Sequence, residues 1–176
     1  MVKKILLGIA IVIGVLLIII ASRPDQFRVT RSTTINAAPP AVFEHVNNFH
    51  RWEAWSPWVK LDPKATVEYQ GPEAGVGAVF KWAGNEQVGE GVETIVVSRP
   101  YELIEIKLEF IKPFKGVNTV EFTFKPAGDQ TVVSWSMYGK NNFMSKAMGL
   151  FMNCDQYIGK QFEQGLAQLK AVVEKK

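Results

Sequence analysis

The sequence predicts an α+β fold of about seven antiparallel strands with a long helix at the C-terminus and an apolar helix at the N-terminus. Three observations predict it. From Asn142 to Lys176, Met144, Ala147, Met148, Phe151, Cys154, Ile158, Phe162, Leu166, Leu169 and Val173 recur at steps of three or four after one adjacent pair, the period of one helix face. Between residues 65 and 139, apolar and polar residues alternate in short runs divided by turn residues, as in an antiparallel meander. At the start, Ile5 to Ala21 is an unbroken run of Ile, Leu, Val, Ala and Gly.

The N-terminal run follows Lys3 and Lys4 and closes at Ser22-Arg23-Pro24. Counted from Val2 it is close to the roughly 20 residues that cross a bilayer. A cleaved signal peptide begins the same way, but its apolar core is usually shorter and ends in small side chains. Here Ile18, Ile19 and Ile20 occupy those places, which favours a retained transmembrane anchor over residues 1–24 and a domain over 25–176. Lys3 and Lys4 favour a cytoplasmic N-terminus with the domain outside, although Arg23, Arg28 and Arg31 weaken the asymmetry.

The charge that remains is balanced. The 20 Lys and Arg include Lys3, Lys4 and Arg23, leaving 17 against 17 Asp and Glu beyond residue 23. Zero net charge gives no electrostatic footprint for nucleic acid. Cys154 is the single cysteine, so no internal disulfide forms, and its place in the helical pattern predicts a small core residue.

Along the domain, Phe27 to Ile35 reads as a strand with Val29, Thr33 and Ile35 on one face, and Arg31 falls on that same face. Pro39-Pro40 opens a short helix whose apolar side is Val42, Phe43 and Val46. His45 and His50 read as surface residues, with no partners at metal-ligand spacing, so neither a metal nor a cofactor is expected. Phe49, Trp52, Trp55 and Trp58 then crowd into ten residues. They suit a hydrophobic plug at one end of the core, or an aromatic wall of a ligand cavity. The glycines of Gly71 to Gly77 are not followed by Lys-Ser/Thr and make no phosphate loop. Strands follow at Thr66–Tyr69, Ala78–Ala83, Val88–Ser98, Glu102–Phe110, Val117–Lys125 and through Val133, Trp135 and Met137 to Gly139. Phe80, Trp82, Ile106, Phe110, Phe122 and Trp135 face inward in that alternation. In the last helix, Gly159 and Gly165 each cost about 1 kcal/mol relative to Ala, and a helix glycine usually makes room for a neighbour.

A strand, two short helices, six strands and a long final helix is the element order of the helix-grip fold. The sequence resembles the START/Bet v 1-like superfamily, and within it the polyketide cyclase/dehydrase type. The resemblance rests on Arg31-Ser32, Ala38-Pro39, Phe49-x-x-Trp52-x-x-Trp55-Ser-Pro-Trp58, Asp62-Pro63 and Asp155 with Gly159-Lys-x-Phe162-Glu163-x-Gly165-Leu166. It covers nearly everything after residue 26. It implies a curved sheet gripping the last helix, with an apolar cavity between them for lipids or other hydrophobic molecules. Its members include cyclases, lipid carriers and pure binders, so the fold alone leaves the chemistry open.

No Ser-His-Asp or Cys-His arrangement is recognisable, and no catalytic residue is assigned. The inward polar candidates are Arg31, Glu90 or Glu93, Asp155 and Glu163. Arg31 either pairs structurally with a strand glutamate or anchors the polar head of an amphipathic ligand, since a lone buried charge is costly. The candidate cavity-lining residues are Arg31, Trp55, Trp58, Phe80, Trp82, Ile106, Phe110, Phe122, Trp135, Asp155, Gly159 and Phe162. The leading expectation is a membrane-tethered binder of a hydrophobic small molecule or lipid. The alternative is a cyclase or dehydratase using the same cavity, which requires a titratable group there with a displaced pKa.

Overall fold

The computed structural model describes residues 2–150 and 153–175. Helix α1 (Val2–Ala21) leads into strand β1 (Gln26–Ile35), helix α2 (Pro39–Asn47) and two 3-10 turns, Phe49–Ala54 and Trp58–Lys60. Six strands follow: β2 (Thr66–Gln70), β3 (Val79–Ala83), β4 (Glu90–Arg99), β5 (Leu103–Lys112), β6 (Gly116–Ala127) and β7 (Gln130–Lys140). Helices α3 (Phe143–Met148) and α4 (Cys154–Val173) complete the chain. The strands form one antiparallel sheet in the order β1-β7-β6-β5-β4-β3-β2, so the first strand closes on the last. Its curved inner face holds α4, the arrangement of a helix-grip fold.

Alternation decides which side chains enter the grip. Ile104, Ile106 and Leu108 of β5, Val120, Phe122 and Phe124 of β6, and Val133, Trp135 and Met137 of β7 are all buried. From α4 come Phe162, Leu166 and Leu169, which are buried on the helix face turned to the sheet. The centre is an aromatic stack: Trp135 lies parallel to Phe162 at 4.2 Å between centroids and to Phe122 at 4.8 Å. Such pairs add about 0.5–1.5 kcal/mol beyond the area they bury. A Cβ on Gly165 would stand 2.7 Å from Trp135 and 3.1 Å from Pro57, so this glycine is the gap that the indole fills.

The tryptophan cluster closes one end. Trp52 and Trp55 are buried, and their indole N–H groups donate to the carbonyls of Val46 (3.0 Å) and His45 (3.1 Å). Those carbonyls belong to the last turn of α2, where the helix has no N–H left to offer them. The cluster therefore plugs the core and terminates α2 with the same atoms.

The single long C-terminal helix expected from the periodicity is two helices. Asn142 and Asn153 each accept a hydrogen bond from a backbone N–H three residues on, so each starts a helix of its own. Met144 and Met148 are exposed, as is Cys154, so that cysteine is not a core residue. Phe151 lies outside the described residues. Three of the ten predicted stripe residues, Met144, Ala147 and Met148, thus belong to a short helix turned away from the grip. His45, expected at the surface, is half-buried with Nδ1 unpartnered.

Gly165→Ala should lower stability by about 1–3 kcal/mol, the usual cost of overpacking a tight site. In an open helix the same change would stabilise by up to about 1 kcal/mol. Urea denaturation of the full chain in detergent gives the sign.

Candidate functional site

The interior has two halves of different character. Around the aromatic stack it is solid: Trp55, Ile106, Phe122, Trp135 and Phe162 are all at most 2% exposed. Trp58 packs edge-on against both Trp135 and Phe162. Toward the other end of α4 the packing opens into a cleft of about 760 Å³. Its walls include Phe27, Phe110, Met137 and Ile158, with Asn118 the polar group on the sheet, and its rim includes Arg23, Lys115, Lys140 and Lys146. That size lies within the range of small-molecule sites, roughly 300–1,000 Å³. A smaller hollow of about 250 Å³ lies between Phe49, His50, Tyr69 and Glu73 at the opposite end.

Of the twelve candidate residues, Phe110 lines the large cleft. Phe80 and Trp82 lie beyond it on β3, stacked on one another at 6.0 Å, and Trp82 meets Phe110 edge-on at 6.2 Å. Gly91 opposite is the space that Trp82 occupies. Arg31, Asp155 and Gly159 form a separate cluster on the seam between β1 and α4. Arg31 donates from Nε to Glu163 (2.7 Å), and from Nη1 and Nη2 to the two carboxylate oxygens of Asp155 (3.1 and 3.0 Å). Its remaining N–H groups reach the carbonyls of Thr30 (2.9 Å) and Asp155 (3.1 Å). All five guanidinium donors are then taken by the protein, leaving none for a ligand. The partners come from α4, not from the strand glutamates that the alternation suggested. Asp155 in turn is held below the usual carboxylate range by its hydrogen bonds to Arg31. Gly159 is the contact point, since a Cβ there would overlap the guanidinium.

Glu93 is the residue whose role the alternation only hinted at. It lies on one cross-strand row of the inner face, Phe80–Glu93–Leu108–Asn118, so two strand spacings of about 4.8 Å separate it from the cleft-lining Asn118. Glu90, the other strand candidate, instead pairs with Lys112 at the rim. Burial alone pushes the Glu93 carboxyl up to about 8. Yet the residue keeps some accessible surface. It sits between Phe80 and Leu108 without being sealed, and burial favours its protonated form. A neutral carboxylic acid can donate a hydrogen bond to a ligand oxygen or pass a proton.

Glu93 also sets a pH dependence. Its folded pKa lies above the unfolded value near 4.5, so the folded state binds the extra proton. That contribution to stability is complete below the unfolded value and is lost as pH rises toward about 8. The melting temperature should fall between pH 5 and pH 9 by this route, and Glu93→Gln should flatten the slope and melt higher at the alkaline end; thermal scans over that window measure both.

Comparison with known proteins agrees with this geometry. No curated protein matches the chain by sequence. Among solved structures, protein CV1439 from Chromobacterium violaceum is similar over 88% of this chain and all of its own, with a TM-score of 0.61 and 17% identity. Aha1 from Colwellia psychrerythraea is similar over 84% of this chain and 96% of its own, with a TM-score of 0.57 and 16% identity. The di-domain aromatase/cyclase StfQ of the steffimycin biosynthetic pathway is similar over 85% of this chain and 51% of its own, with a TM-score of 0.61 and 12% identity. These identities establish the shared fold. The family model described as "Polyketide cyclase / dehydrase and lipid transport" matches residues 26–174, the whole sheet and all of α4, and the chain belongs to that family.

Proposed function

We propose that this protein binds a hydrophobic small molecule or lipid in the cleft between the sheet and α4, tethered to a membrane by α1. The observation that carries the reading is the cleft itself: about 760 Å³, walled by Phe27, Phe110, Met137 and Ile158, in a domain whose other half is packed solid. A cleft that size leaves the apolar side chains along it short of packing partners. Phe80 and Trp82 continue the aromatic wall beyond Phe110, and Asn118 and Glu93 supply the polar contacts that would orient a head group. Arg31 and Asp155 act in this reading as a structural clamp. Helix α1 is 20 residues long, apolar from Ile5 onward and packed against nothing that buries it, long enough at about 1.5 Å per residue to span a bilayer core. We assign it as a retained anchor over residues 1–24, with the domain over 25–176 on the extracytoplasmic side.

A second reading is favoured by Glu93. A carboxyl that burial favours in its protonated form, on the same cross-strand row as the cleft-lining Asn118, is the kind of group a cyclase or dehydratase would use as a general acid. One variant separates the two. In a pure binder, Glu93→Gln keeps the amide as a hydrogen-bond donor and changes occupancy little. In an enzyme it abolishes turnover of a bound polyketide-like substrate while leaving binding intact.

The binding reading is tested by native mass spectrometry of the full chain released gently from detergent, with organic extraction of whatever co-purifies. A stoichiometric apolar ligand is the expected result. Ile158→Trp, which narrows the cleft without touching the aromatic stack, should reduce occupancy about tenfold, equivalent to ~1.4 kcal/mol. A clean apo mass, with no thermal shift from a panel of lipids and aromatic polyketides, would overturn the reading.

A further inference from the structure

Six of the exposed apolar side chains of the domain gather in two neighbouring groups. Ile111, Phe114 and Val117 at the β5–β6 turn, and Phe143, Met144 and Met148 on α3, are between 37% and 57% exposed. Both groups stand at the mouth of the large cleft, where Phe114, Val117, Met144 and Met148 form part of its lining. Single exposed apolar residues are ordinary, but a contiguous cluster around an opening marks a surface that meets something apolar. The charge around it has one sign. Arg23, Lys115, Lys140 and Lys146 line the same mouth, and no Asp or Glu does. Asp25, just outside, is taken by Lys146.

The chain's own connectivity says what lies opposite. Helix α1 ends at Ala21, and Arg23 and Pro24 already line the cleft. Asn141 Nδ2 donates to the Pro24 carbonyl (3.0 Å), and Asn141 N–H donates to that of Asp25 (2.8 Å), fastening this point to the junction of β7 and α3. Helix α1 also touches α3. Three residues of chain reach at most about 11 Å. If α1 spans a bilayer, the cleft mouth cannot stand off from its surface by more than the depth of a head-group layer or so.

We propose that the β5–β6 turn and α3 form a lip seated in the head-group layer of the membrane that α1 crosses, so that the cleft opens onto lipid instead of water. The inference rests on the reading of α1 as a retained span, and it names the source of the ligand: a membrane-resident molecule entering sideways from the bilayer. Apolar side chains flanked by cations are the combination that suits an interface containing anionic lipid.

The test uses the full chain in phosphatidylcholine–phosphatidylglycerol vesicles. In a Cys154→Ser background, an environment-sensitive fluorophore is attached to Phe114→Cys, to Met144→Cys or, as a control at the opposite end of the sheet, to Val76→Cys. All three positions are exposed, so the substitutions leave the core untouched. The expected result is blue-shifted emission and quenching by spin-labelled lipid at the first two positions, with a water-like control. Water-like emission at all three overturns the proposal. A blue shift without lipid quenching also overturns it, because a second protein copy would then cover the lip. Native mass spectrometry of the same preparation keeps the two readings apart. A retained ligand with water-like lip labels removes the lip and leaves the binding site. Lipid-quenched labels with an apo mass support the lip and remove the binding reading.

Discussion

Everything in this domain depends on α4 staying pressed against β1, the edge strand of the sheet. Apolar burial supplies most of the attraction, but burial has no direction and would let the helix slide along its axis. The Arg31 guanidinium removes that freedom. Its planar fork engages both carboxylate oxygens of Asp155 and one of Glu163, two residues eight positions apart on the helix, so a shift by one turn would break both. Further along the same seam, Lys170 donates to the Thr34 carbonyl and Glu174 accepts from the Asn36 N–H. Gly159 lets the helix backbone come close enough for the first of these contacts.

With α4 fixed, the two ends of the grip diverge. Toward its C-terminal half, Phe162, Leu166 and Leu169 press into the aromatic stack and leave no room. Toward its N-terminal half the helix presents Ile158, which is only half-buried, and the chain leaves the sheet through α3. The space that results is not a packing failure spread through the core, because it is confined to one end and edged by a coherent set of side chains. The domain thus divides into a solid half that holds its shape and a half left open as a cleft.

Much of the fold could be read from the residues. The two-residue alternation of β5, with Ile104, Ile106 and Leu108 inward and Glu105 and Lys107 outward, leaves little choice of face. The element order that follows from seven such strands and a final helix carried the family resemblance. The division into α3 and α4 was hidden, because Met144, Ala147 and Met148 keep the helical spacing while Met144 and Met148 line the cleft mouth. Spacing reports a face and not what covers it. Arg31 was legible as an anomaly on an apolar face, whereas its partners on α4 lie more than 120 residues away and needed the tertiary structure. Glu93 was one of two acidic candidates on the same strand, and only the strand register separates it, on the row that ends at Asn118, from Glu90, which pairs with Lys112. Four of the eight aromatic candidates, Trp55, Phe122, Trp135 and Phe162, are fully packed, since alternation places a side chain inside without saying whether its neighbours are atoms or space.

The pairing of β1 with β7 has a consequence for how the protein is made. β1 leaves the ribosome soon after α1, but its sheet partner, residues 130–140, and its helix partner, residues 154–173, are among the last to appear. Over that interval β1 has both its ladder groups and its inner face unsatisfied. Closing a loop of about a hundred residues carries an entropic cost that makes such long-range pairing slow. An α1 retained in a membrane would shrink the volume that β1 can explore while it waits. The short connection between α1 and β1 would then also keep the first strand within reach of the last.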